Sequence, residues 1–186
     1  MAAQVTRVRF TVDQYEDMGR AGILGEDDRV ELVDGEIVQM SPIGARHMAC
    51  VKRTTALLYR LLGNRYIVSV QDALRLSRYQ EPQPDLAVLK WRDDFYAAAK
   101  PTARDVLLVI EVAETSFDYD TKVKIPRYAQ AGVPEAWVAD LMGDLVKQYA
   151  DPAGGVYQLE REVRRGETLL SHAVPELTLD MAALLG

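Results

Sequence analysis

The spacing of apolar positions changes several times along this chain, and each change marks an element. Over residues 45–62, Met48, Val51, Thr55, Leu58 and Leu62 recur at helical intervals, and Gly63-Asn64 stops the helix. Residues 8–18 read as a short amino-terminal helix with Thr11 in the capping position, followed by a loop over 19–28. Residues 29–40 alternate apolar and polar on either side of Asp34-Gly35, the dipeptide of a tight hairpin. Residues 66–76 alternate as a strand, 84–89 form a short apolar strand, and 106–110 are an unbroken apolar run ending on Glu111. A run of that last kind is buried on both faces of a sheet. The segment 91–104 is a connecting loop with one helical turn over 94–99. A polar turn carrying Asp118, Asp120, Lys122 and Lys124 leads into a helical pattern through Tyr128 that stops at Gly132. Residues 136–139 are a further strand, closing on Asp140. LVKQYA and VYQLEREV then form a hairpin about residues 151–155, and the tail holds two short apolar pieces, around Leu169 and over 177–185.

Strands and helices interleaved in this order predict an α/β sandwich with a mixed central sheet flanked by helices. The chain reads as one domain over 1–186. An amino-terminal helix and hairpin (8–42) precede a core (45–140), and a carboxy-terminal hairpin and tail (143–186) follow it.

Composition narrows the function. A single cysteine, Cys50, excludes an intrachain disulfide and a cysteine-based zinc cluster, and its place on the long helix predicts a small buried side chain. No apolar stretch is long enough to cross a bilayer, and the first residues lack the apolar core of a secretory leader, so a cytoplasmic protein is expected. The net charge of −6 weighs against tight non-specific binding to nucleic acid. A set of acidic metal ligands would account for part of that charge, because a bound cation offsets it.

The candidate chemistry lies at two strand ends. Asp85 opens one predicted core strand and Glu111 closes the next. If those strands are antiparallel neighbours, two carboxylates meet at one end of the sheet. A carboxylate there is costly unless it binds something positive. Mg²⁺ takes few protein oxygens and keeps its remaining positions for water and phosphate. A nearby lysine holds a phosphate oxygen or orients and helps deprotonate the attacking water, and the metal polarises the phosphate.

The order Pro84-Asp85, Glu111 after an apolar strand, then a lysine, resembles the PD-(D/E)xK nuclease superfamily. It resembles more closely one bacterial branch, the Uma-two-type restriction endonucleases. The similarity runs through ELVDGEIVQMSPIG with His47 after it, EPQPDLAVL, IEVAETSFDYDTKVKIPRYAQAGVPEAWVAD and GGVYQLER. It implies a restriction-endonuclease-like fold, a Mg²⁺- or Mn²⁺-dependent endonuclease acting on DNA, metal ligands Asp85 and Glu111, and a homodimer. Where the superfamily places its lysine, two residues after the second acid, this chain has Ala113. The branch moves the lysine into a D-x-x-x-K-x-x-x-Y arrangement matched by Asp120, Lys124 and Tyr128, which favours Lys124 over Lys122. The resemblance further implies roles for Glu31 and His47 as assisting groups.

Each residue also has a plainer reading. Asp85 serves as a turn residue after Pro84, Asp34 as turn chemistry with Gly35, Glu114 and Asp118 as solvated loop acids or caps, and Tyr128 and Trp137 as core. Gln71, on the strand beside Asp85, either reaches the site or is a surface residue. Two other functions fit the same pattern. One is an inactive nuclease-fold module binding nucleic acid or protein, which the acidic balance and Ala113 favour. The other is a metal-dependent hydrolase of a small phosphoester.

Overall fold

The computed structural model describes residues 7–25 and 27–186. The start of the stretch read above for localisation (1–6), and Glu26 in the 19–28 loop, lie outside them. Helix α1 (Val12–Arg20) begins at Thr11, whose hydroxyl accepts from the Gln14 N–H while the Gln14 side chain accepts from the Thr11 N–H. That reciprocal capping box fixes the helix start. Strands β1 (Val30–Val33) and β2 (Glu36–Gln39) form the expected hairpin. Asp34 and Gly35 both have positive φ, 53° and 74°, as a type I′ turn requires. Gly35 is further demanded by space, since a Cβ there would lie 2.8 Å from Cβ of Arg9.

Helix α2 (Ala45–Leu62) matches its apolar spacing and turns Cys50, Val51, Thr54, Leu57, Leu58 and Leu62 inward. Six strands make the central sheet: β3 (Tyr66–Val70), β4 (Leu86–Lys90), β5 (Val106–Ala113), β6 (Glu135–Asp140), β7 (Leu145–Ala153) and β8 (Val156–Arg164), adjacent in that order. All pairs are antiparallel except β5 with β6. A parallel pair needs a crossover. Here it is the helical stretch α3 (Phe117–Tyr119), a π-turn over Asp120–Lys124, and α4 (Ile125–Ala131), ended by Gly132 at φ 78°. The tail forms β9 (Thr168–Leu170), β10 (Thr178–Asp180) and α5 (Met181–Leu185).

Because successive strand residues point to opposite faces, β5 supplies both core layers. Leu108, Ile110 and Val112 pack with α2, α5 and the tail. Val109 and Ala113 pack with Tyr128 of α4, Leu74 and Tyr96. This is a mixed α/β sandwich, as expected. Among the described residues no helix is long and apolar enough to cross a membrane.

Three expectations are corrected. The strand read over 66–76 ends at Val70, where Gln71 takes φ 56° and leaves the sheet. Leu74 and Leu76 kept the apolar alternation because they are buried as loop residues. No helical turn forms over 94–99, because Phe95 and Tyr96 both adopt left-handed backbone. Strand β5 continues three residues past Ile110, which puts Glu111 inside the strand and not at its mouth.

Candidate active site

β4 and β5 are antiparallel neighbours with Leu86 opposite Ile110, so one further step sets Asp85 against Glu111. Glu111 shares the parity of Val109 and Ala113 and faces the α4 layer. There the π-turn carries Lys124 inward while Lys122 stays out, 70 % exposed and paired with Asp118 at 2.9 Å. The π-turn also reconciles a helix with Pro126. The register widens over Asp120–Lys124, and the proline then falls in the first turn of α4, where its missing N–H costs little.

Lys124 is 5 % exposed; its Nζ donates to Glu111 Oε1 at 2.8 Å and lies 3.3 Å from Glu31 Oε2. Burial works against its charge, but Glu111, Glu31 and Asp120 outweigh that and raise its pKa. Tyr128 donates its hydroxyl to the same Glu111 oxygen at 2.5 Å. Burial pushes the Glu111 carboxyl up to about 8, with Lys124 pulling it down and Asp120 and Asp85 pushing it further up. Glu31 arrives from β1, because Leu32 exchanges backbone hydrogen bonds with Glu81. Its Oε2 accepts from the Gln83 N–H at 3.0 Å and its Oε1 from the Tyr119 hydroxyl at 3.3 Å.

Asp85 occupies the other side of the cleft. Its Oδ2 lies 2.9 Å from His47 Nε2 and 2.9 Å from the Val112 N–H, and its Oδ1 accepts from Gln71 Nε2 at 3.3 Å. Burial opposes its charge, yet His47, the Val112 N–H and Lys124 hold the carboxyl below its usual range. In turn, the hydrogen bond to Asp85 raises the His47 pKa against burial. Nδ1 of His47 is buried without a partner among the described residues.

These groups line a cleft of about 590 Å³, which Asp120, Ser116, Glu114 and Arg29 also border. All five residues singled out from sequence, Glu31, His47, Asp85, Glu111 and Lys124, therefore converge. Sequence reasoning missed Tyr119; it named Asp120 and Tyr128 only as the residues flanking Lys124 in the family arrangement, gave Asp120 no role of its own, and read Tyr128 most simply as core. Asp120 is 5 % exposed, accepts from the Ser116 hydroxyl at 2.6 Å, and burial lifts its carboxyl to about 6. The signal for Asp120 and Tyr128 was present in their four-residue offsets from Lys124. Gln83, whose side chain donates to the Gln71 carbonyl, carried no signal.

The donor set suits a hard cation in one respect: Asp85 and Glu111 are oxygen donors on adjacent strands facing one cleft. Among the described residues no three His, Cys, Asp or Glu side chains converge as a metal cage.

The sequence matches the Uma2 family model, described as "Putative restriction endonuclease", over residues 12–182. The chain belongs to the Uma2 family. Its fold is similar to the crystal structure of a putative nuclease belonging to DUF820 from Anabaena variabilis ATCC 29413, with a TM-score of 0.74 and 17 % sequence identity. That likeness covers 95 % of this chain and 97 % of that one. No curated protein matches the chain. Membership in this family supports a nuclease-type function.

Proposed function

We propose that this Uma2-family protein is a Mg²⁺- or Mn²⁺-dependent endonuclease that hydrolyses phosphodiester bonds in DNA. The observation that carries the reading is the pair Asp85 and Glu111, cross-strand neighbours facing one cleft, with Lys124 bridging Glu111 and Glu31. Asp85 and Glu111 would hold the cation, which when bound polarises a phosphate oxygen and acidifies a water. Lys124 stays protonated at neutral pH, since its acidic neighbours raise its pKa. It therefore serves as a fixed donor to a phosphate oxygen or to the attacking water, and not as the base. Glu31 and Tyr128 hold Lys124 and Glu111 in place, and His47 orients Asp85. Two copies related by a two-fold axis would bring one cleft to each strand of a duplex.

The test is calorimetric titration with Mg²⁺ and Mn²⁺, alongside nicking of supercoiled DNA, for the wild type and for Asp85→Ala with Glu111→Ala. Loss of both cation binding and nicking in the double variant supports the assignment. Cation binding with no nicking by the wild type removes the DNA substrate and leaves a hydrolase of another phosphoester. Equal behaviour of the two proteins rejects the site.

A further inference from the structure

Helix α2 has a charge pattern unlike that of the whole chain. In a protein of net charge −6, its eighteen residues carry Arg46, Lys52, Arg53 and Arg60 and no acid. Arg46 and Arg53 turn to the carbonyls of Leu141, Leu184 and Leu185. Lys52 and Arg60 enter no ion pair or side-chain hydrogen bond among the described residues. Met48, Lys52, Thr55 and Tyr59 follow one another at three- and four-residue steps and so form one stripe on the helix. Met48 is 45 % and Tyr59 55 % exposed. The Tyr59 hydroxyl lies 3.4 Å from the Val68 carbonyl of β3, which lays the ring toward the sheet edge.

Between this stripe and β3 runs a groove of about 410 Å³, with Met48, Val51 and Val70 as apolar lining and Lys52 and Gln71 as polar lining. The same Gln71 donates to Asp85, so the groove ends beside the cleft. An apolar floor, an unpaired cation and an exposed aromatic ring along one stripe, with a second cation, Arg60, on the adjoining row of Lys52, Ala56 and Arg60, are what an unstacked nucleic-acid strand requires. Phosphates take the charges and bases take the π-face and the apolar surface. A second copy of the chain is the poorer occupant, because two α2 helices would face each other with cations and no acids.

We propose that the groove between α2 and β3 is a docking track for a single nucleic-acid strand, leading it to Asp85. Phosphates sit on Lys52 and Arg60, one base stacks on Tyr59, and the next lies against Met48 and Val70. This rests on the nuclease reading above and adds the path of the substrate to it.

The test is fluorescence anisotropy of a labelled single-stranded oligonucleotide titrated with protein across a salt series. Lys52→Ala and Arg60→Ala are each expected to weaken binding and to lower the slope of log affinity against log salt by about 0.7. Tyr59→Ala is expected to weaken it by about tenfold, with Tyr59→Phe close to wild type. Lys90→Ala, at the far end of β4, is expected to change nothing. All four positions are solvent-facing, and circular dichroism checks that the variants fold. Unchanged affinity and salt slope in the α2 variants, with wild-type binding intact, overturns the track; nicking that still depends on Asp85 then leaves the nuclease reading standing. Variants at Lys52 or Met48 that instead convert a dimer to monomers make the groove a subunit contact and also overturn it. A wild type that neither binds a strand nor nicks DNA defeats both readings.

Discussion

Glu111 and Glu135 lie on adjacent strands of one sheet, 3 % and 0 % exposed, and their surroundings differ in kind. Glu135 accepts four hydrogen bonds: from Trp137 Nε1 (2.6 Å), Gln148 Nε2 (2.5 Å), the Ser171 hydroxyl (2.5 Å) and the Ala173 N–H (2.9 Å). Both of its oxygens are enclosed by protein, and the bonds pin the tail at Ser171–Ala173 to the sheet. Glu111 receives Tyr128 and Lys124 on one oxygen only and borders a cleft. Burial of a carboxylate is thus no sign of a site in itself. A closed hydrogen-bond shell makes a clamp, and an open one beside a cation and a cavity makes a place for chemistry.

The contrast is tested most strongly by truncating the clamp. Glu135→Ala strands an indole N–H, a hydroxyl and a backbone N–H in the interior and leaves the Gln148 amide only the Leu170 carbonyl, and should cost about 3–5 kcal/mol. In a chain of this size that lowers the melting temperature by about 6–20 °C. Nicking, assayed well below the new midpoint, should stay near wild type, since Glu135 does not line the cleft. A folded, stable variant without activity would merge the two regions and break the comparison.

Glu111→Gln should do the reverse. The amide keeps the shape and removes a charge that burial disfavours, and Lys124 keeps Glu31 as a carboxylate partner at 3.3 Å, so the stability loss should stay below that of Glu135→Ala, at about 1–3 kcal/mol by urea denaturation. Nicking should fall about 100- to 1,000-fold, the scale seen when one electrostatic group is removed from a reacting centre. Stability lost in full with activity retained would make Glu111 a second clamp.

This division is only partly visible in the sequence. Glu111 after an apolar run, Asp85 after a proline, and a helix with Asp120, Lys124 and Tyr128 at four-residue steps all stand out, because strand and helix periodicities are local properties. The antiparallel pairing that joins Asp85 to Glu111 could be posed as a condition and is met. The π-turn that points Lys124 inward could not be read, since five-residue hydrogen bonding leaves no composition of its own. Gln71 could be posed only as reaching the site or lying on the surface; the left-handed backbone that ends β3 and turns its amide to Asp85 could not be read. Glu135 was passed over because its partners are Gln148, Ser171 and Ala173, far along the chain, and only the assembled fold brings them together.

Tyr128→Phe sharpens the contrast at a smaller scale. It deletes one donor to Glu111 and leaves the ring in the core, where Tyr128 is fully buried. Lys124 still holds the same oxygen, so the loss in stability should be about 1–2 kcal/mol and the loss in nicking about tenfold. A change in stability alone, with full activity, would show that the hydroxyl serves packing and not the placement of Glu111.

The last test is a slope in stability with pH, gradual at any one pH, measured by urea denaturation in chelator. Burial holds Glu111 up to about 8 and Asp120 up to about 6, above their ordinary values of 4.5 and 3.8. Between each pair of values the native state keeps a proton that the unfolded chain has released, so stability falls as pH rises through the window. His47, raised from 6.5 by its hydrogen bond to Asp85, acts in the same direction: its contribution is present below 6.5 and lost as pH climbs through its higher native value. Asp85, held below 3.8, acts oppositely, and only in acid, where its contribution is lost as pH falls. The metal-free protein should therefore lose stability steadily from about pH 5 to about pH 8.5. Glu111→Gln should flatten that decline and leave the part due to His47 above pH 6.5. A wild-type profile that is level, or a variant with the same slope, would mean that Glu111 is as ordinary a carboxylate in the native state as in the unfolded chain, and the distinction between an open and a closed shell would have lost its electrostatic basis.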